Sequence, residues 1–190
     1  MSLAEMLPST VIIAHNEQYD IQSNLADRLT RFQREAYNTV FRHSKSLTQV
    51  AAFPYVIHGT SVEVLLVTSR RRGRWLLPRG WPIEGMSYGM AASKEASEEA
   101  GVVGEMGHKA LGDYHYDKRT GNGYRVPCRV FVYPLLVTQQ QLDWPEKDQR
   151  EQIWCNLSDA IAMVRQDSLA KFLSSLRNVP DLRTHLAAYH

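Results

Sequence analysis

Residues 80–102 read Gly-Trp-Pro-Ile-Glu-Gly-Met-Ser-Tyr-Gly-Met-Ala-Ala-Ser-Lys-Glu-Ala-Ser-Glu-Glu-Ala-Gly-Val, a glycine turn that runs into a short helix. Glu95, Glu98 and Glu99 stand at i, i+3 and i+4, so an α-helix puts three carboxylates on one face. Each like-charge pair costs a bare helix roughly 0.2–0.5 kcal/mol, and more where the face is partly buried. A cation is expected to relieve it. Both ends of the helix are fixed by residue chemistry: Ser87 suits the N-cap and Gly101 the left-handed C′ position. Ala92, Ala96 and Ala100 recur every four residues and allow close packing on a sheet.

Most Glu-rich helical stretches are solvated acidic faces. Here the framing argues for more, because the segment follows the apolar run Trp75, Leu76, Leu77, Pro78 and closes at a glycine. Hard divalent cations such as Mg²⁺ favour oxygen ligands, and clustered carboxylates suit them.

The segment resembles the Nudix box, G-x5-E-x7-R-E-U-x-E-E-x-G-U with U apolar. The matches are Gly80, Glu95, Ala96, Glu98, Glu99, Gly101 and Val102; Met86 stands in place of the family's Glu and Lys94 in place of its Arg. The approach from Glu63 through Arg70, Arg71, Arg72, Gly73, Arg74 to Trp81 looks like the diphosphoinositol-polyphosphate-type branch. The resemblance covers about residues 48–165. It implies an α/β fold, the Nudix α/β/α sandwich with a mixed sheet, and hydrolysis of a diphosphate bond in a nucleoside diphosphate linked to X or in a related polyphosphate. Water would attack phosphorus directly, with Mg²⁺, or Mn²⁺ in its place, held by Glu98 and Glu99, by Glu95, and by the Gly80 carbonyl. Glu95 and Glu98 are the catalytic candidates that follow. A Nudix-like binding or regulatory module without catalysis is the alternative, motivated by Met86 and Lys94.

Lys94 keeps a positive charge beside the acids but lacks the planar fork that grips a carboxylate bidentately. Met86 cannot act as an acid, and Glu84 lies two residues earlier as a substitute in space. Arg70, Arg71, Arg72 and Arg74, with Arg79, are candidates for binding substrate phosphates if the fold brings them to the acidic site. Lys118, Arg119, Arg125 and Arg129 form a second basic group. The family often takes a further metal ligand from a later loop, where Glu146, Asp148 and Glu151 are available; Glu151 is the choice made here.

A chain of 190 residues, 44% hydrophobic, can build one sizeable core with appendages. Its net charge of +2 is too balanced to argue for bulk nucleic-acid binding, and the resemblance implies a phosphorylated small-molecule substrate. Cys128 and Cys155 show neither metal spacing nor a disulfide framework, which suggests free thiols in the cytoplasm. No segment is long and apolar enough for a membrane span.

Residues 1–47 divide into an irregular arm and an amphipathic helix, in which Leu25, Leu29, Phe32, Ala36 and Val40 keep helical spacing. That helix either packs on the domain, the favoured reading, or makes a homodimer contact. Residues 48–165 form the catalytic domain and 166–190 a C-terminal helix and tail. Strands are expected at 50–57, 62–68, 75–77, 103–116, 124–137 and 152–155, with an Asn122-Gly123 turn and a helix capped by Ser158.

Two other patterns are set aside. Gly85-Met-Ser-Tyr-Gly89 fits a nucleophile elbow with His115 and Asp113 as partners, but Pro78 and Pro82 interrupt the strand such an elbow needs. Trp75, Trp81, Tyr114 and Tyr116 can stack on a ring, yet isolated aromatics on strands are more often core.

Overall fold

The computed structural model describes residues 46–119, 123 and 125–190. The amphipathic stretch expected at 21–41 and most of the turn at 120–123 lie outside them.

Strand β1 (Leu47–His58) is the centre of an eight-stranded mixed sheet. Every side chain from Gln49 to Tyr55 is buried, on both faces of the strand, so helices must cover both sides. β1 runs parallel to β7 (Arg125–Gln140), pairing Leu47 with Cys128 through Tyr55 with Leu136. Its far half pairs antiparallel with β2 (Ser61–Thr68), and its near half with the two-residue β4 (Arg79–Gly80), where Val50 faces Gly80. β3 (Trp75–Leu76) and β8 (Gln152–Asn156) flank β2. β5 (Val102–Met106) and β6 (Gly112–Arg119) pair with opposite halves of β7. The stretch expected as one strand over 103–116 is therefore two, separated by the Gly107–Leu111 turn.

Helix α1 (Tyr88–Ala100) packs on β1 with Ala92, Ala96 and Ala100 fully buried, the small-residue stripe read from sequence. Ser87 caps it by accepting the Met90 N–H, and Gly101 ends it at φ 63°. Helix α2 (Leu157–Met163) is capped by Asn156 rather than Ser158, the Asn156 side chain accepting the Asp159 N–H at 3.0 Å. Residues 166–190 supply two helices, α3 (Asp167–Arg177) and α4 (Leu182–Ala187). Leu169, Leu173 and Leu186 are fully buried in the same core as Phe53, Leu65 and Leu135. Cys128 and Cys155 are free and buried. No described helix is long and apolar enough to cross a membrane.

Candidate active site

Glu99 continues the buried alanine stripe of α1, seven residues after Ala92 and three after Ala96, so the packing that seats the helix also draws this carboxylate inward. It is 7% exposed. Its Oε2 accepts the Arg79 backbone N–H at 3.0 Å, and its other oxygen pairs with Arg150. Burial pushes the Glu99 carboxyl up to about 7, a rise that Arg150 and the Arg79 amide oppose without cancelling.

Glu95 lies one turn earlier, against β4. A Cβ built on Gly80 would stand 1.8 Å from Glu95 Oε1 and 2.5 Å from Oε2, so the absent side chain leaves the space that the carboxylate occupies. Burial, and beyond it the Glu98 charge, raise the Glu95 carboxyl. Among the described residues Glu95 has no ion-pair partner. Glu98, half-exposed, pairs with Lys94 across one helical turn. The cation required by the sequence is thus partly internal: Lys94 neutralises Glu98 and Arg150 neutralises Glu99.

The chain after β7 wraps the C-terminal end of α1. Gln141 N–H donates to the Gly101 carbonyl at 2.7 Å, Glu146 N–H to the Glu98 carbonyl at 3.1 Å, and the Trp144 ring covers Gly101. These contacts bring Glu146, not Glu151, to the acidic face. Glu146 raises both Glu95 and Glu99, and its carboxylate is gripped by Arg150 Nε at 2.6 Å and Arg70 Nη1 at 3.0 Å. Glu151 is exposed, its main chain engaged with Thr68, and Asp148 is exposed in a single 3-10 turn. Of the three loop acids, Glu146 is thus the one that stands beside Glu95 and Glu99. Arg150 escaped the sequence reading altogether; its one signal is its place four residues after Glu146.

Of the arginines, Arg70 is linked to the acids through Glu146. Arg71, Arg72 and Arg74 are exposed on a loop closed by Ser69, whose carbonyl accepts the Arg72 and Gly73 N–H groups. Arg79 divides its contacts: its main chain touches Glu99, while Nη1 donates to Tyr114 Oη at 2.8 Å and Gln166 Oε1 at 3.2 Å. Met86 is exposed, Glu84 is exposed, and Ser87 is spent on capping. Tyr114 is buried, as an isolated strand aromatic should be, but Trp81 is 44% exposed.

The oxygen donors of Glu95, Glu98, Glu99 and Glu146 suit a hard divalent ion, and Glu95 forms no ion pair among the described residues. In this arrangement no three metal-binding side chains of the described residues converge on one point. Lys94 holds Glu98 instead, and Arg150 holds both Glu99 and Glu146.

A family model for the NUDIX domain matches residues 48–176. This chain belongs to the Nudix family. Arabidopsis thaliana Nudix hydrolase 21, chloroplastic, is 32% identical over 147 residues, spanning 76% of this Nudix chain and 71% of that protein. Diphosphoinositol polyphosphate phosphohydrolase 3-beta of Bos taurus is 35% identical over 106 residues, 54% of this chain and 60% of its own. Among solved structures, a Caenorhabditis elegans Ap4A hydrolase binary complex superposes with a TM-score of 0.55 at 20% identity, covering 75% of this chain and 99% of that one. The NUDIX domain of Shewanella oneidensis NrtR complexed with ADP ribose gives 0.54 at 21% identity, with 76% and 99% covered. At such identity the structures show the Nudix fold alone.

Proposed function

We propose that this protein hydrolyses a diphosphate bond in a nucleoside diphosphate linked to X, or in a related polyphosphate, by attack of water at phosphorus. The observation that carries the reading is the lodging of Glu95 against Gly80 beside Glu98, Glu99 and Glu146 on one helix end. A divalent ion, Mg²⁺ or Mn²⁺, bound by Glu98, Glu99 and Glu95 with the Gly80 carbonyl, would supply charge neutralisation of the diphosphate and a lowered pKa for its water. Glu95 would accept the proton of the attacking water from the space that the missing side chain of Gly80 leaves for its carboxylate. Arg150 keeps Glu99 and Glu146 oriented. Arg70, Arg71, Arg72 and Arg74 approach phosphates that lie outside the acidic cluster. Relatives named as Nudix hydrolases and as a diphosphoinositol polyphosphate phosphohydrolase support the reaction class. The substrate is a phosphorylated small molecule rather than nucleic acid. Free thiols favour a reducing compartment such as the cytoplasm.

The test replaces Glu98 or Glu99 by Gln and measures phosphate or nucleotide release from a panel of diphosphate substrates with Mg²⁺ or Mn²⁺. Loss of about a hundredfold or more in turnover is expected, on the scale of removing a group that stabilises developing charge. Unchanged turnover removes these residues from the mechanism.

A second reading, a ligand-binding or regulatory module, is favoured by one observation: Lys94 and Arg150 already neutralise Glu98 and Glu99. Ligand binding with no turnover across the metal-supplemented panel would establish it.

A further inference from the structure

Of the described strands that pair along one side only, β6 is the longest. Its one partner among the described residues is β7, and from Asp113 to Arg119 its main chain makes no further backbone hydrogen bond. In an antiparallel ladder each residue turns its N–H and C=O to the same side and the next residue turns to the other, so alternate residues of β6 face away from β7 with both groups open. At one end the edge is closed, since a Cβ built on Gly112 would stand 3.2 Å from Phe172 Cε2. The open stretch therefore begins at Asp113, and such an edge is a template for another strand.

Charged side chains usually keep a strand edge from pairing. On β6 their order instead selects one way of pairing. Asp113, His115, Asp117 and Arg119 line the solvent face, while Tyr114, Tyr116 and Lys118 turn inward to Phe172, Arg79 and Trp81. Asp113 is ionised, because the hydrogen bond from Arg129 Nη2 at 2.7 Å holds its carboxyl below the ordinary range. A second β6 laid antiparallel must set outward-turned residues opposite outward-turned residues, so the two-fold axis passes through a residue and never between two. With the axis at His115, Asp113 meets Asp117 twice; with the axis at Asp117, two Asp117 side chains stand face to face. Like charges directly opposite repel. With the axis at Tyr116, Asp113 meets Arg119, His115 meets Asp117 and Tyr114 meets Lys118, each pair twice by symmetry. That register uses the whole open stretch and sets no like charges together.

We propose that a second copy of this chain docks on the open edge of β6, antiparallel about a two-fold axis at Tyr116, so that the sheet continues from one copy into the other. The pairing is independent of the hydrolase reading. A ladder of one strand is smaller than a standard interface, so a reversible dimer in the micromolar range is expected rather than an obligate one.

Sedimentation velocity of the full chain over a concentration series tests this, with circular dichroism melts to show that each variant is folded. Arg119→Asp sets an acid opposite Asp113, and Asp113→Arg sets a guanidinium opposite Arg119, so each variant alone should dimerise about tenfold or more weakly than the wild type. Mixed in equal amounts, the two restore both opposite-charge pairs, and the dimer should return. Asp113 also holds Arg129, so a second pair of variants leaves it untouched. His115→Cys and Asp117→Cys, mixed under mild oxidation, should form a disulfide between unlike chains, and His115→Cys alone should form none. A wild type that stays monomeric throughout the series, a dimer indifferent to Arg119→Asp, a mixture no better than its components, or a disulfide joining two copies at position 115 would each overturn the edge pairing.

Discussion

Arg150 and Glu99, which are 51 residues apart, form an ion pair in which both side chains are 7% exposed. The same guanidinium reaches Glu146 through Nε and the Thr68 carbonyl through Nη1 at 2.8 Å. One side chain therefore fastens the acidic end of α1 to the loop after β7 and to the end of β2. A lysine has no such fork.

Arg150→Met leaves the Glu99 carboxylate buried without its cation, which in comparable buried pairs costs about 3 kcal/mol or more. Urea unfolding should register that loss, and Arg150→Lys should recover only part of it. A change below about 0.5 kcal/mol in R150M would mean that the pair is no more than a surface contact.

Glu99 makes stability depend on pH. Its carboxyl is raised from 4.5 to about 7, so between those values the folded protein binds more protons than the unfolded chain. The stability it contributes is fully present below 4.5 and is lost as pH rises through about 7. Thermal melts of the metal-free protein should fall across this window, and Glu99→Gln should flatten the slope. A divalent ion that binds the ionised carboxylate should raise the melting temperature most at the alkaline end.

Gly80→Ala separates site from scaffold. The three atoms nearest the added Cβ all belong to the Glu95 carboxylate, so the carboxylate is expected to move and the backbone to stay. A stability change of about 1 kcal/mol or less is expected, together with a turnover loss of about tenfold or more from misplacement of Glu95. Melting and kcat measured on one preparation decide it, and intact turnover would show that Glu95 works equally well elsewhere.

Among the loop acids, Glu146→Gln should lower turnover by about tenfold or more, a typical general-catalysis or metal-orienting effect. Glu151→Gln should stay within about twofold, because that side chain is exposed and away from the acids. The reverse ranking would restore Glu151 as the later ligand.

The acidic helix was legible because its information is local. Caps at Ser87 and Gly101, the alanine stripe and the i, i+3, i+4 spacing all follow from helical periodicity, and each is found. The hairpin pairing His58 with Ser61 was equally readable from its Gly-Thr turn. What local periodicity mishandled is instructive: Gly107 to Leu111 breaks the single strand expected over 103–116 into β5 and β6, which pair with different halves of β7. Trp81, expected in the core, stands partly in solvent under Lys118 because the two-residue β4 ends at Gly80.

From the order of residues alone came the family, the three glutamates and the need for positive charge beside them, since these depend on neighbours a few positions apart. Tertiary structure decided which cations answer: Lys94 from within the helix, but Arg150 from a loop that only the wrapping of Trp144 over Gly101 brings back. It also turned Arg79 away from the acids and into the tyrosines. Burial and sheet register join residues distant in the chain, and no spacing rule along the sequence encodes those encounters.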